Sequence, residues 1–351
     1  MKRAVDTRRA SAAKLVYVDS DEAGIRRERR GTGFSYVESG GRIVRDPATL
    51  KRIRSLAIPP ARADVWICPD SAGHLQATGR DAAGRKQYRY HADFRSLRDG
   101  AKYELILAFA EGLPALRRQV EADRRRPGLP RDKVLSTVVH LLDTTLIRVG
   151  NDDYARQNGS YGLTTLLSRH VAVEGIALRF QFKGRAGKTW RLQIRDRRVA
   201  RVIRSCQELP GQKLFQYLDE EGQARTIDSA DINDHLRAIT GVDITAKDFR
   251  TFAGTVMAAT RLLSYPVAET KVLRKANARE AIAFVAGRLG NTPAVTRACY
   301  VHPAVLDSYL EGRLLLVKRR PPTGLTTDEA AVVTFLRRRL RKREAPRSKA
   351  A

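Results

Sequence analysis

Apolar positions along the chain follow two rhythms, and the change between them falls near residue 95. From residue 31 to residue 91 they come in short runs broken by turn formers, the pattern of half-buried strands. "GFSYVESGGRIV" predicts two short strands around a Gly-Gly turn. "DVWIC", "LQATG" and "KQYRYH" predict three more, separated by tight turns at "PDSAGH" and "RDAAGR". One helix interrupts them, "RDPATLKRIRSL", with Asp46 as N-cap and Pro47 at its first position. Before this sheet, residues 1–30 alternate charged and small residues with little periodicity and are expected to be loosely ordered.

After about residue 98 the apolar spacing becomes three and four, as in "YELILAFAEGLPALRRQVEADRRR" and "DKVLSTVVHLLDTTLIRVG", the latter a helix ending at Arg148. Further helices are predicted at about 197–207, 212–220, 230–239, 246–263 and 268–289, and one more starts near Pro293 with Tyr300 about two turns in. The exception is "ALRFQFKGRAGKTWRLQIR", residues 177–195, where two alternating strands flank a glycine-containing turn. The last segment, "TTDEAAVVTFLRRRLRKRE", reads as a basic helix with Thr327 as N-cap and an apolar stripe of Val332, Val333, Leu336 and Leu340. That helix can pack on the body or touch phosphate. The fold class is therefore α+β: a small β-rich region over 31–95, a larger mainly helical region over 96–320 carrying a β-hairpin, and a basic helix or tail over 321–351. A domain boundary is expected near residues 92–98, and there is no internal repeat.

Charge adds a partner. Lys and Arg number 66 against 38 Asp and Glu, a net of +28, which is far more than solubility requires and attracts phosphate. The expected partner is nucleic acid, with binding that weakens steeply as salt rises. Cys68, Cys206 and Cys299 are far apart and lack any CxxC spacing, so neither a disulfide framework nor a zinc site is suggested. No run approaches the ~20 apolar residues of a membrane span, and a reducing, cytoplasmic compartment is expected.

Several familiar chemistries fail on spacing. "GRAGKT" at 184–189 would need a glycine where Phe182 stands to be a phosphate loop, and "GTG" at 31–33 meets Tyr36 where a dinucleotide fingerprint needs its third glycine. The six histidines make no metal-binding spacing. Asn158-Gly-Ser160 matches a glycosylation sequon that a cytosolic chain would not use. The chemistry is expected to run without ATP, cofactor or dedicated metal.

A different set of residues suits a phosphodiester. Singly each has a plain explanation: Arg148 as a base at a helix end, Arg250 on a solvated face three residues from Lys247, Asn291 and Thr292 as helix caps before Pro293, and Tyr300 as packing. Together they make a chemical kit. Two planar guanidiniums match the charge spread over the non-bridging oxygens of a phosphoryl transition state, Asn291 can donate one further hydrogen bond, and a tyrosine hydroxyl can attack phosphorus. A lysine on the 177–195 hairpin could protonate the leaving oxygen.

At this point the segments "RVGNDDYARQNGSYGLTTL", "FKGRAGK", "KDFRT" and "GNTPAVTRACY", in this order, resemble the type IB DNA topoisomerases, specifically the small virus-like forms found in bacteria. "DVWICPDSAGHLQATGRDAAGRKQYRYH" is similar to the amino-terminal domain of that family, and the likeness covers roughly residues 30–310. It implies a monomer with two lobes clamping double-stranded DNA, and a nucleoid-associated place in the cytoplasm. It implies ATP-independent relaxation of supercoils by reversible transesterification. In that reading Tyr300 becomes linked to a 3′ phosphate and Arg148 and Arg250 stabilise the transition state, Arg148 also assisting proton delivery. Asn291 takes a position often held by histidine, Tyr154 and Lys247 lie near the scissile phosphate, and Gln87 and Tyr88 face the major groove.

One position departs from the family pattern. The general-acid lysine that follows the hairpin glycine is Arg185 in this chain, and arginine does not give up its proton near neutral pH. Lys183 and Lys188 are the nearby substitutes. Two alternatives follow: a catalytically impaired DNA-binding protein of the same fold, or a tyrosine recombinase, whose HxxR signature is replaced here by Lys247 and Arg250.

Overall fold

Five antiparallel strands form the sheet of the amino-terminal unit, in the spatial order β2-β1-β3-β4-β5. They are β1 Ile25–Arg30, β2 Gly33–Val37, β3 Ala63–Ile67, β4 Leu75–Arg80 and β5 Lys86–Tyr90. The computed structural model describes residues 7, 10, 11, 13–82 and 84–344; the side chains of 96–104, 186 and 341–344 lie outside that description. Helix α1, Pro47–Ser55, starts as its sequence dictates: the Asp46 carboxylate accepts from the Thr49 amide at 2.7 Å, and Pro47 opens the first turn. It lays Ile53 on a small core with Ile25, Val44, Val65, Ile67 and Ala77.

The expectation of loose order through residue 30 is corrected by β1, which sits inside the sheet and pairs Ile25 with Ile67 and Arg27 with Tyr36. Its sequence, "IRRERR", has one apolar residue in six, so hydrophobic alternation could not reveal it. Backbone pairing on both sides, not side-chain burial, fixes the strand. Still earlier, the Val16 amide donates to the Ala72 carbonyl at 2.9 Å. Residues 1–6, 8, 9 and 12 lie outside the described residues. The second strand expected in "GFSYVESGGRIV" shrinks to a single bridge between Ile43 and Val37.

The chain divides into units Met1–Glu104 and Leu105–Ala351, with the division inside helix α2, Ala92–Asp123, some turns beyond the expected boundary. In the second unit α2 is followed by α3 Arg131–Thr145, α4 Asp152–Asn158, α5 Arg197–Gln207, α6 Ser229–Thr240, α7 Ala246–Leu263, α8 Lys271–Leu289, α9 Pro293–Cys299, α10 Pro303–Leu310 and α11 Thr327–Glu344. Leu113, Leu135, Leu142, Ile203, Leu236 and Phe249, from five of these helices, share one buried core. The expected hairpin is β7 Ala177–Lys183 with β8 Thr189–Arg195, joined on its other edge by β6 Val171–Glu174. Phe180 and Phe182 point into the core while Arg179, Gln181 and Lys183 alternate outward.

The helix expected at 212–220 is instead a ribbon, β9 Gln216–Leu218 with β10 Ala224–Thr226. Gly222 at φ +73° and Asp219, whose carboxylate accepts from the Gln223 amide at 2.7 Å, make a turn that no helix could contain. The last helix belongs to this unit rather than to a tail: Val332 and Leu336 are fully buried, and Arg117 forks between Asp143 and Glu329, each at 2.8–2.9 Å. Thr326, not Thr327, caps it, its amide and hydroxyl exchanging hydrogen bonds with Glu329. Residues 345–351 of the expected tail lie outside the described residues.

Candidate active site

Helix α3 stops at Thr145 because Leu146 turns left-handed, at φ +57°. The expectation that Arg148 ends this helix is therefore corrected: it lies past the end, in an extended run. There its carbonyl accepts from the Leu163 amide at 2.9 Å, while the next carbonyl, of Val149, accepts from Thr164 at 2.7 Å. Gly150, at φ +109°, lies against the Thr164 and Thr165 hydroxyls where a side chain has no room. Arg148 is thus held by its backbone and leaves its guanidinium for other work.

Arg250 projects from α7 into the interior and is only 2% exposed, whereas Lys247 on the same helix is exposed. A solvated basic face describes Lys247 and fails for Arg250. The buried guanidinium donates to the carbonyls of Leu146 and of Leu289, the latter at 2.6 Å. Burial pushes its pKa down, the charge of Arg148 pushes the same way, and Tyr300 opposes both. Arginine remains charged at neutral pH through such a shift.

Helix α8 ends at Gly290, at φ +62°, and Thr292 caps α9 by accepting from the Val295 amide at 3.4 Å. Capping therefore falls to Thr292, and Asn291 between the two helices is free to point inward. Its Oδ1 accepts from Arg148, while its Nδ2 is buried without an acceptor, as is Nε of Arg250. Tyr300 is not on α9. It occupies the C-cap position, at φ −131° and ψ −2°, in the break before α10. Its carbonyl packs on Gly254 of α7, where a Cβ would come within 2.5 Å, and faces Thr255 Oγ1 at 3.5 Å. That hydroxyl also accepts from the His302 amide at 3.1 Å, and His302 in turn caps α10. The Tyr300 ring lies 5.1 Å from the Arg250 guanidinium, and both arginines interact with its hydroxyl.

Arg185 stands in a short 3-10 turn, Arg185–Gly187, at the tip of the β7–β8 hairpin. Its guanidinium lies 6.0 Å from the ring centre of Tyr154, whose amide is anchored by the Asn151 side chain at 2.8 Å. Arg148 feels this neighbour: burial lowers its pKa most, Tyr300 raises it, and the charge of Arg185 lowers it further. Lys183 and Lys188 are exposed on the same hairpin. The structure thus gathers Arg148, Tyr154, Arg185, Arg250, Asn291 and Tyr300.

Gln87 and Tyr88 lie in the amino-terminal unit, on edge strand β5. Alternation places Gln87, which donates to Asp81 at 3.0 Å, on one face, and Tyr88, stacked on Tyr90 at 6.1 Å, on the other. Sequence reasoning missed Gly254 and Thr255, although an isolated glycine in a helical pattern signals a close approach of backbone. A cleft of about 620 Å³ between α5 and the 124–129 loop shares no residue with this centre, and its arginines are largely paired, Arg124 with Asp196 at 2.8 Å. Among the described residues no helix is long and apolar enough to cross a membrane.

Residues 91–313 match the family described as "Eukaryotic DNA topoisomerase I, catalytic core", so the chain is a DNA topoisomerase. Residues 33–81 match "Bacterial DNA topoisomerase IB, N-terminal domain". Over 293 residues the chain is 32% identical to DNA topoisomerase 1B of Acanthamoeba polyphaga mimivirus, covering 82% of this chain and 87% of the viral protein. The chain belongs to the type IB DNA topoisomerase family, and its substrate is DNA.

Proposed function

We propose that this topoisomerase relaxes supercoiled duplex DNA without ATP, as a monomer, by cutting and resealing one strand through a covalent bond to Tyr300. The Tyr300 hydroxyl gives up its proton to water as its oxygen attacks phosphorus, a phosphotyrosyl bond to the 3′ end forms as the bond to the 5′ oxygen breaks, and that oxygen takes up a proton in turn. One phosphodiester replaces another, so the cut strand can swivel and then be resealed by the reverse step. The observation that carries this reading is the convergence of Arg148, Arg250 and Asn291 on Tyr300, with two buried donors, Asn291 Nδ2 and Arg250 Nε, still lacking acceptors. Buried donors are normally paired, and phosphate oxygens fit this set.

In this reading Arg148 and Arg250 stabilise the charge on the non-bridging oxygens, and Asn291 donates a neutral hydrogen bond to one of them. Arg185 occupies the position of the proton donor but supplies charge alone, so leaving-group protonation falls to Lys183, Lys188 or water. Tyr154 and Lys247 lie along the scissile strand, and Gln87 and Tyr88 contribute DNA contacts from the amino-terminal unit.

The decisive variant is Tyr300→Phe, tested on supercoiled plasmid with chelator present and no ATP, with detergent trapping of the covalent adduct. Relaxation and adduct are both expected to vanish; adduct persisting in the variant would sink the assignment of the nucleophile.

A further inference from the structure

Two glycines far apart in sequence rest on one side chain. Trp190, the second residue of β8, lies opposite Phe182 across the hairpin, their rings parallel to within 1° with centres 6.2 Å apart. A Cβ built on Gly184 would lie 2.6 Å from Trp190 Cδ1, and one on Gly290 would lie 2.9 Å from Trp190 Cζ2. The five-membered edge of the indole therefore seats one glycine and the six-membered ring seats the other. The residues that follow these glycines are Arg185 and Asn291.

The turn at 289–291 is gripped from three directions. The Leu289 carbonyl accepts from Arg250, Gly290 lies on Trp190, and Asn291 accepts from Arg148. Among these holds, the indole ties the turn to the hairpin, the element that carries Arg185. We propose that Trp190 is a positioning residue of the cleavage centre, its indole spacing the hairpin tip from the Gly290–Asn291 turn so that both reach one phosphate. This inference rests on the roles given above to Asn291 and Arg185.

The plainer role for a half-buried tryptophan beside the main core is filling space. The two roles part at Trp190→Phe. A phenyl ring keeps the stacking on Phe182 and most of the buried area, but is too short to touch both glycines. Space-filling predicts a nearly unchanged enzyme. Positioning predicts a thermal midpoint and DNA affinity close to the parent, but single-turnover adduct formation slower by roughly 10- to 100-fold, the scale of a small misplacement. In a background lacking both side chains, Asn291→Ala with Arg185→Ala, the same change is expected to cost less than about 3-fold more, because residues that act through one another are not additive.

Adduct formation by Trp190→Phe within about 3-fold of the parent would overturn the proposal, and so would a full additional loss in the background lacking both Asn291 and Arg185 side chains. The underlying reading is tested without touching Trp190: Asn291→Ala and Arg185→Ala both cleaving at the parental rate would remove it. A slow Trp190→Phe would then also count against the positioning role, since it would be acting through neither residue.

Discussion

In the proposed mechanism, the head group at position 185, guanidinium rather than ammonium, bears on whether the hairpin can deliver a proton or only a charge. Arg185 sits 6.0 Å from the ring centre of Tyr154 and close enough to Arg148 to depress its pKa, so it belongs to the centre; what it lacks is a proton it can release. Arg185→Lys would place a releasable proton at that point. Single-turnover cleavage is expected to quicken, by up to roughly 10²- to 10⁴-fold if no other group now does the work. No acceleration would mean that Arg185 is not standing in an impaired acid position. At this scale motif and chemistry single out Arg148, Arg250, Asn291 and Tyr300, and the fold brings these four together. What the sequence could not display was burial: nothing in "KDFRT" distinguishes Lys247, in solvent, from Arg250, 2% exposed, because their environments come from other helices.

Helix breaks matter more here than helix bodies. The expected helix from Pro293 through Tyr300 stops one residue short, and Pro303 is the reason: a residue before proline is driven out of helical conformation, so the chain must open at His302 and restart. The proline in "CYVHP" carries that signal, although the apolar spacing runs on without a visible break. β1, by contrast, was not legible, because its register is fixed by pairing partners rather than by its own side chains. The break at Tyr300 is seated on Gly254 of α7, which leads to a reversal of a normal rule. Glycine to alanine inside a helix usually stabilises by about 1 kcal/mol. Here the new Cβ would meet the Tyr300 carbonyl at 2.5 Å and Leu289 Cδ1 at 3.3 Å. Gly254→Ala is expected to destabilise by about 1–3 kcal/mol and to slow adduct formation at least ~10-fold. Thermal unfolding and the trapped-adduct assay check both, and a neutral or stabilised variant would show that the contact does not constrain the tyrosine.

Across the whole molecule, stability carries a pH dependence that the histidines set. Burial pushes down the pKa of His140, of His170 and of His235, with Arg124 adding to the effect on the first and Arg169 on the second. Each takes up a proton at lower pH in the fold than in the unfolded chain, where the value is ~6.5, so the unfolded state binds more protons there and stability falls as pH drops through that range. Asp196 joins only at lower pH: against burial, hydrogen bonds from Val199 and Arg124 hold its carboxyl below the usual range, so its contribution persists above about pH 4 and is lost below. The unfolding midpoint is expected to decline measurably between pH 7.5 and 5.5, and a flat profile there would contradict the downward shift of these imidazoles.

The two leftover donors beside Tyr300 bear on folding as well as on chemistry. A buried donor without an acceptor costs about 1–3 kcal/mol, so Asn291 Nδ2 and Arg250 Nε make the centre a place where the free protein gives up stability. A tetrahedral oxyanion such as tungstate then acts as a folding ligand, expected to raise the unfolding midpoint of the parent and much less that of Asn291→Ala. Equal shifts in the two proteins would break the link. If the scissile phosphate engages the same donors, as proposed above, the substrate strand would also help to hold the centre in shape.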